Sequence, residues 1–306
     1  MSDLWKLCIS AGFTFFFIAN NTLIFQNIKV DLRYNKFIYF TNKVKRLKIL
    51  SLYCGAGGID VGLNKANLHT TTAIDFNRDS CDTFKANNPD AEVIHGDVKD
   101  FEESFNNYDI VVGGPPCQPF SRAKGIKRRD FDSSEVDRFW RIVDNNNPKY
   151  YLMENVKDVI KVCDRPNELI NCADYGTPQL RQRRIFSNIP LPQKTYENNH
   201  VSIKDAVGFD GIVEDRKSTF GEKYKKDGGK FRSRESTRPC FTIIVDYRVW
   251  FIKDGVERKA TDKEVSILQG FPEDYVFCGN GSSIKRQIGN AVPSQPIYEY
   301  FKNINM

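Results

Sequence analysis

Five short apolar runs, Lys48–Leu52, Thr70–Asp75, Glu92–Ile94, Tyr108–Val112 and Tyr150–Met153, recur along the chain and are separated by mixed segments of helical character. Strands that alternate with helices need crossover connections, so the pattern predicts an α/β fold with a parallel sheet and helices on both of its faces. Helices are expected over Ser80–Asn87, ended by Asn88-Pro89, and over Glu135–Val143. Ligands of open α/β sheets bind beyond the carboxyl ends of the strands. The residues just past those ends are therefore where chemistry is to be sought.

The first run is followed by Tyr53-Cys54-Gly55-Ala56-Gly57-Gly58-Ile59-Asp60-Val61-Gly62. A nicotinamide-binding G-x-G-x-x-G turn needs a glycine at position 60, where Asp60 stands, so a dinucleotide is disfavoured. Asp75 ends the second run, at the spacing from Gly55 at which a carboxylate accepts from ribose hydroxyls, so a nucleoside-containing cofactor is expected. Asp97, after the third run, suits either an adenine amino group or a helix cap. Past the fourth run, Gly113-Gly114-Pro115-Pro116-Cys117-Gln118-Pro119-Phe120-Ser121 delivers one thiol in a stiff turn. The glycines permit close approach of a ligand and the prolines remove backbone freedom, which makes Cys117 a candidate nucleophile. Glu154 ends the fifth run, as a helix cap or, in a closed pocket, as a proton carrier to a ring nitrogen. Gln179-x-Arg181-x-Arg183 brings two arginines to one face of an expected strand; a charged edge strand offers the same pattern.

Composition sets limits on the rest. The 306 residues suffice for one large domain and a smaller one, and a net charge of +6 permits a polyanionic partner without requiring it. Eight scattered cysteines with no C-x-x-C pair, and three histidines, argue against structural zinc and against a disulfide framework; reduced thiols in a cytosol-like compartment are expected, with no metal site. Residues 1–45 fit the remainder poorly. Leu7–Ala19 is strongly apolar, but Asn20, Asn21, Gln26 and Asn27 break the run well short of the roughly 20 residues of a membrane span. An accessory packing segment or an upstream extension of the reading frame is the preferred account, and no membrane partner is expected.

With these residues assembled, the chain from about Lys48 to Ser294 resembles the cytosine-C5 DNA methyltransferases, which use S-adenosylmethionine to methylate carbon 5 of cytosine. Cys54–Gly58 resembles the family's cofactor loop, Gly113–Ser121 its Pro-Cys motif, Glu154-Asn155-Val156 its Glu-Asn-Val motif and Gln179–Arg183 its Gln-x-Arg-x-Arg motif. Leu268–Pro272 and Gln287–Pro293 resemble its two closing motifs, so six matches occur in the family's order.

The resemblance implies a Rossmann-like methyltransferase sheet with helices on both faces, formed by 46–190 and 260–306. A small, shortened target-recognition region including framework strands is implied for 191–259. It implies that Cys117 attacks carbon 6, that Glu154 serves N3 of the base, and that Arg183, with Arg181 nearby, contacts its carbonyl oxygen. For S-adenosylmethionine it implies Tyr53, Gly55, Gly57, Gly58, Asp75, Phe76, Asp97, Pro116 and Asn290. For double-stranded DNA, with the base flipped out, it implies Ser121, Arg122, Lys124, Lys127 and Arg128 beside the nucleophile, and Lys225, Lys226 and Arg232 in the recognition region. A monomer of the cytoplasm, associated with the nucleoid of a prokaryote or serving a virus, is expected, with a cognate restriction endonuclease as a companion acting on the same site.

Several positions depart from the family's pattern. Ser51 and Tyr53 replace its usual Asp and Phe, and Asp75 its usual Glu. The segment 156–173 is short for a helix and a strand, which predicts a trimmed sheet edge. Val201–Val207 and Arg238–Val245 look like framework, leaving about 30 residues, rich in lysine and arginine, for target recognition. Two rival functions remain. A branch of the same family acts on tRNA and carries a Cys-Phe-Thr motif, which Cys240-Phe241-Thr242 resembles, although this segment also fits a Pro-x-x-Thr-Ile framework strand of the DNA enzymes. The other rival is a catalytically inactive cofactor- or DNA-binding protein.

Overall fold

The computed structural model describes residues 47–116, 132–216 and 231–304, together with four strands within the first 46 residues. The chain divides into a unit over 1–46 and a unit over 47–305. In the first, β1 (Phe15–Ala19), β2 (Thr22–Phe25), β3 (Ile28–Asp31) and β4 (Lys36–Ile38) form an antiparallel meander. Among the described residues no helix is long and apolar enough to cross a membrane.

The second unit opens with the predicted alternation. β5 (Ile49–Leu52), α1 (Gly58–Lys65), β6 (Thr72–Asp75), α2 (Arg78–Asn87), β7 (Glu92–His95), β8 (Ile110–Gly113), α3 (Ser134–Asn146) and β9 (Tyr150–Asn155) follow one another. Each strand lies within two residues of its expected place. α2 starts where the Asn77 side chain accepts from the Ser80 N–H and stops before Asn88-Pro89, since proline has no N–H with which to continue the ladder. β10 (Glu168–Asn171) and β11 (Gln182–Ser187) complete a seven-stranded sheet of order β10-β11-β9-β8-β5-β6-β7. β5 to β9 are mutually parallel, and β11 runs antiparallel to both neighbours.

Strand alternation sorts the side chains to two cores. Leu50, Leu52, Val111 and Met153 join Phe139, Trp140 and Val143 of α3 on one face. Ile49, Val112, Leu152 and Ile185 join Ile59 and Leu63 of α1, and Ile297 and Phe301 of α7 (Ser294–Phe301), on the other. Both faces are thus covered by helices, and this is a Rossmann-like methyltransferase architecture.

Three segments differ from expectation. The 156–173 edge keeps its strand, β10, and economises on the helix: a 3-10 turn over Lys157–Lys161 spans the connection. Residues 201–207 are not a strand, because Ser202 and Asp205 cap each other's backbone and start a short helix, α4 (Ile203–Val207). Residues 238–245 run without regular pairing except one parallel bridge, Gln179 to Cys240.

Beyond α4, β12 (Ile212–Asp215), β13 (Arg232–Glu235), β14 (Val249–Lys253) and β15 (Val256–Lys259) form an antiparallel sheet in the order β13-β12-β14-β15. Val213, Val249 and Phe251 of this sheet pack with Phe241, Ile243 and Tyr247 against Val265 and Leu268 of α5 (Asp262–Gln269) and Ile288 of α6 (Gly281–Asn290). The smaller region is therefore a sheet sharing its core with the closing helices.

Candidate active site

The turn after β5 needs a left-handed backbone at Tyr53, Gly55 and Gly57, with φ of 51°, 54° and 83°. Glycine adopts this region at little cost, whereas Tyr53 does so under strain. At Gly58 a different constraint acts: a Cβ would stand 2.3 Å from the Val292 carbonyl oxygen, so the turn passes directly under the closing motif. The Gly55 N–H donates to Asp75 Oδ2 at 2.9 Å, and the Asn77 N–H to Asp75 Oδ1 at 2.8 Å. Asp75 thereby ties the first two strand ends together, and burial raises its pKa against the pull of those two bonds. α1 begins at Gly57 without a side-chain cap, leaving its N-terminal N–H groups to other acceptors. In its first turn Asp60 is fully buried, accepting from Ser51 Oγ at 3.0 Å and Thr70 Oγ1 at 2.5 Å. Burial outweighs these bonds and pushes its pKa up to about 6.

Phe76, just past β6, is a large apolar ring left 68 % exposed. Asp97, past β7, caps a 3-10 turn by accepting from the Lys99 N–H at 3.1 Å, and pairs with the Lys99 ammonium at 3.2 Å. Its side chain stays 42 % exposed, so the cap leaves lone pairs for a further donor. Asn290 ends α6 in an exposed position.

β8 and β9 bring the next motifs together. A Cβ at Gly113 would stand 2.7 Å from the Leu52 carbonyl oxygen, so the strand end must be glycine. Asn155 Nδ2 donates to the Pro115 carbonyl at 3.1 Å, fixing the turn that leads through Pro116 to Cys117. Glu154, 8 % exposed, receives Arg183 Nε on Oε1 at 2.7 Å across the antiparallel β9–β11 pair. Cys117 lies outside the described residues, as do Ser121, Arg122, Lys124, Lys127, Arg128, Lys225 and Lys226.

Arg181 and Arg183 part company. Arg181 precedes β11, is 3 % exposed, and donates from Nη1 to Ile243 O at 2.6 Å and from Nη2 to Gly289 O and Ala291 O at 3.4 and 3.3 Å. Gln179 joins it, giving Nε2 to Gln269 Oε1 at 2.7 Å and taking the Ile243 N–H on Oε1 at 2.7 Å, while Gln269 Nε2 reaches Ala291 O at 2.6 Å. One buried polar knot thus joins the arginine motif, residues 238–245 and both closing motifs. The part played by Gln179 and Gln269 was not foreseen; the lone glutamine inside the apolar Leu268–Pro272 motif was the available signal.

Beside Arg183 opens a cavity of about 600 Å³, bordered by Lys157, Asn171, Arg232, Arg234, Phe241 and Thr242 among others. The guanidiniums of Arg232 and Arg234 lie 4.4 and 4.1 Å from the Phe241 ring centre. Arg232 also pairs with Asp215 at 2.7 Å, whereas Arg234 has no carboxylate partner among the described residues and burial lowers its pKa. A pocket edged by guanidiniums, next to a carboxylate at the strand ends, suits an anionic polymer carrying planar rings.

With this geometry in view, comparison with known proteins is specific. The model of the family "C-5 cytosine-specific DNA methylase" matches residues 47–167 and 188–306. The type II methyltransferase M1.HphI of Haemophilus parahaemolyticus is 28 % identical, over 81 % of this chain and 83 % of its own. M.DdeI of Desulfomicrobium norvegicum is also 28 % identical, over 85 % and 90 %. Among solved structures, a candidate DNA modification methyltransferase encoded within an E. coli prophage superposes with a TM-score of 0.60 at 20 % identity, over 84 % of this chain and 97 % of that one; this likeness bears on the fold alone.

Proposed function

We take as premise that the chain belongs to the C-5 cytosine-specific DNA methylase family, and so is a DNA (cytosine-5) methyltransferase, and propose how its residues carry the reaction and what accompanies it. The family implies S-adenosylmethionine as methyl donor. The residues present fit that molecule: an uncapped helix start for the carboxylate, Asp75 and Asp97 as acceptors, and the exposed Phe76 ring for the adenine face. When bound, it supplies an electrophilic methyl group.

Everything else falls to the chain. Cytosine is a weak nucleophile at carbon 5, so the Cys117 thiolate adds to carbon 6, and the electron pair released moves through the ring toward carbon 5 and N3. Glu154 meets the charge at N3, by a hydrogen bond or by delivering a proton, and Arg183 holds Glu154 while facing the base's carbonyl oxygen. Carbon 5 would accept the methyl group, the donor's sulfur keeping the pair of the broken bond; Glu154 takes back any proton it gave N3, a base, water in our reading, removes the carbon-5 proton so that the carbon 5–carbon 6 double bond re-forms, and the Cys117 sulfur leaves with its bonding pair. The single observation carrying this assignment is the Glu154–Arg183 pair beside the Asn155-anchored turn into Cys117. Arg181, committed to carbonyl oxygens, we assign to positioning. The guanidinium-edged cavity next to the pair receives the DNA strand around a flipped-out cytosine, with Arg232 and Arg234 toward phosphate.

The relatives are type II methyltransferases, which supports a role in restriction and modification, with an endonuclease of the same site as companion. The tRNA reading loses ground on one point. Cys240 is fully buried, its thiol pushed up to about 12 by burial, within a segment that packs the smaller core. Transfer of tritiated methyl from S-adenosylmethionine to duplex DNA, and none to tRNA, is the expected result; transfer to tRNA alone refutes the assignment. Duplex DNA containing 5-fluorocytosine should trap a covalent adduct in the wild type and none in Cys117→Ser. An adduct that persists in that variant overturns the nucleophile, and an inert wild type points to the non-catalytic reading.

A further inference from the structure

Tyr53 stands where the family's pattern has phenylalanine, and its hydroxyl has a specific partner. It donates to Glu135 Oε2 at 2.9 Å and lies 3.3 Å from the Glu135 carbonyl oxygen, in the first turn of α3. The other Glu135 oxygen takes Arg138 Nη1, and Arg138 Nε reaches Glu102 Oε2 at 3.2 Å. Glu102 also holds Arg141 Nε at 2.7 Å. Glu102 sits in the 3-10 turn that follows the one capped by Asp97. A continuous chain of hydrogen bonds thus runs from the turn after β5, through the start of α3, to the turns after β7.

We propose that Tyr53 and Glu135 form a positioning pair for the methyl donor, holding the turn after β5 in the left-handed conformation in which its backbone meets the cofactor. The inference rests on the assignment of Tyr53–Gly58 as the cofactor turn. Three observations carry it. A non-glycine residue at φ 51° stores strain that surrounding contacts must hold, and the hydroxyl contact to Glu135 is the polar one that does so at Tyr53. The acceptor is an ionisable carboxylate, half-shielded and braced by Arg138, which makes the bond stronger than one between neutral groups. The same brace reaches the 3-10 turn that follows the one capped by Asp97, the residue assigned to adenine. Glu135 and Arg138 therefore tie the turn after β5 to the stretch just past the Asp97 turn. Both act through Tyr53 and the turn; neither is assigned a contact with the reacting atoms.

The test compares wild type, Tyr53→Phe, Glu135→Ala and the double variant by equilibrium binding of S-adenosylmethionine and by steady-state kinetics on duplex DNA. Phenylalanine keeps the ring that packs against the sheet core, so the variant folds, and its Tm checks this. Expected is a rise of roughly tenfold in KM and Kd for S-adenosylmethionine in Tyr53→Phe, well in excess of any fall in kcat, and a double variant whose loss is less than the sum of the two single losses, since both remove the Tyr53–Glu135 side-chain bond. A merely structural role lowers Tm and kcat together without this split. Unchanged KM and Kd in Tyr53→Phe, or losses that add in the double variant, overturn the pair. A wild type that does not bind S-adenosylmethionine overturns the cofactor assignment and the pair with it, a result distinct from a wild type that binds and a variant that binds equally well.

Discussion

Two polar regions flank the Glu154–Arg183 pair, and they are built on opposite rules. In the knot of Gln179, Arg181 and Gln269 the polar groups are buried and spent on backbone carbonyls and on each other. In the cavity of Arg232 and Arg234 the guanidiniums lie on an aromatic face; Arg234 gives one nitrogen to the Pro239 and Cys240 carbonyls, and only Arg232 has a carboxylate partner among the described residues. A satisfied buried network fixes a geometry, because any departure leaves an acceptor without a donor in a low-dielectric interior. An under-compensated cluster is the reverse: it gains when an anion arrives. The knot is thus a frame, the cavity is suited to receive an anion, and the pair proposed as catalytic sits where they meet.

The sharpest separation is expected at the pair itself. Glu154→Gln keeps the volume but removes the proton carrier and the charge opposite Arg183, so kcat should fall by about 10²–10³-fold, some 3–4 kcal/mol of transition-state stabilisation. Single-turnover methyl transfer measures it, and a fall below about tenfold would move the N3 role elsewhere. Next comes the frame. Arg181→Met leaves the Ile243, Gly289 and Ala291 carbonyls without that donor, and should cost about 3 kcal/mol of unfolding free energy in urea titration. A loss in activity with no loss in stability would instead make Arg181 a contact of the base.

The legibility of these regions in the sequence divides along the same line. The sheet and the strand-end residues Asp75, Asp97, Pro116 and Glu154 were readable, because local apolar runs mark parallel strands and topology puts their carboxyl ends in one place. The knot was not, since Arg181 meets acceptors 62 to 110 positions away and no local period records such a pairing. The smaller sheet was hidden for another reason. β13 reads Arg-Ser-Arg-Glu and β15 Val-Glu-Arg-Lys, edge strands without an apolar face, as edge strands that resist aggregation tend to be. β10 was discounted on length alone, and a 3-10 turn in place of a helix made the length sufficient.

Asp60 tests whether the frame extends under the turn after β5. Its folded pKa of about 6 exceeds the 3.8 of an unperturbed aspartate, so between those values the folded protein holds a proton the unfolded chain has lost. Its contribution to stability is therefore full below pH 4 and is lost as pH rises to about 6, a change on the order of 2–3 kcal/mol. Asp60→Asn should flatten that part of the stability profile. A profile identical to the wild type's would show that the carboxylate is already ionised across this range and that Ser51 and Thr70 balance its burial.

The smallest effect on stability belongs to the cavity, and there it is the contrast that counts. Arg232 is 57 % exposed and its bond to Asp215 is screened by water, so Arg232→Ala should change unfolding free energy by less than about 1 kcal/mol. On DNA the same change removes one phosphate contact. Each such contact releases about one condensed counterion, so the slope of log Kd against log salt should fall by about 1 while the preferred methylation site is retained. A variant with the wild-type slope but an altered target site would make Arg232 a reader of bases, and the cavity would then contribute to sequence choice as well as to holding the strand.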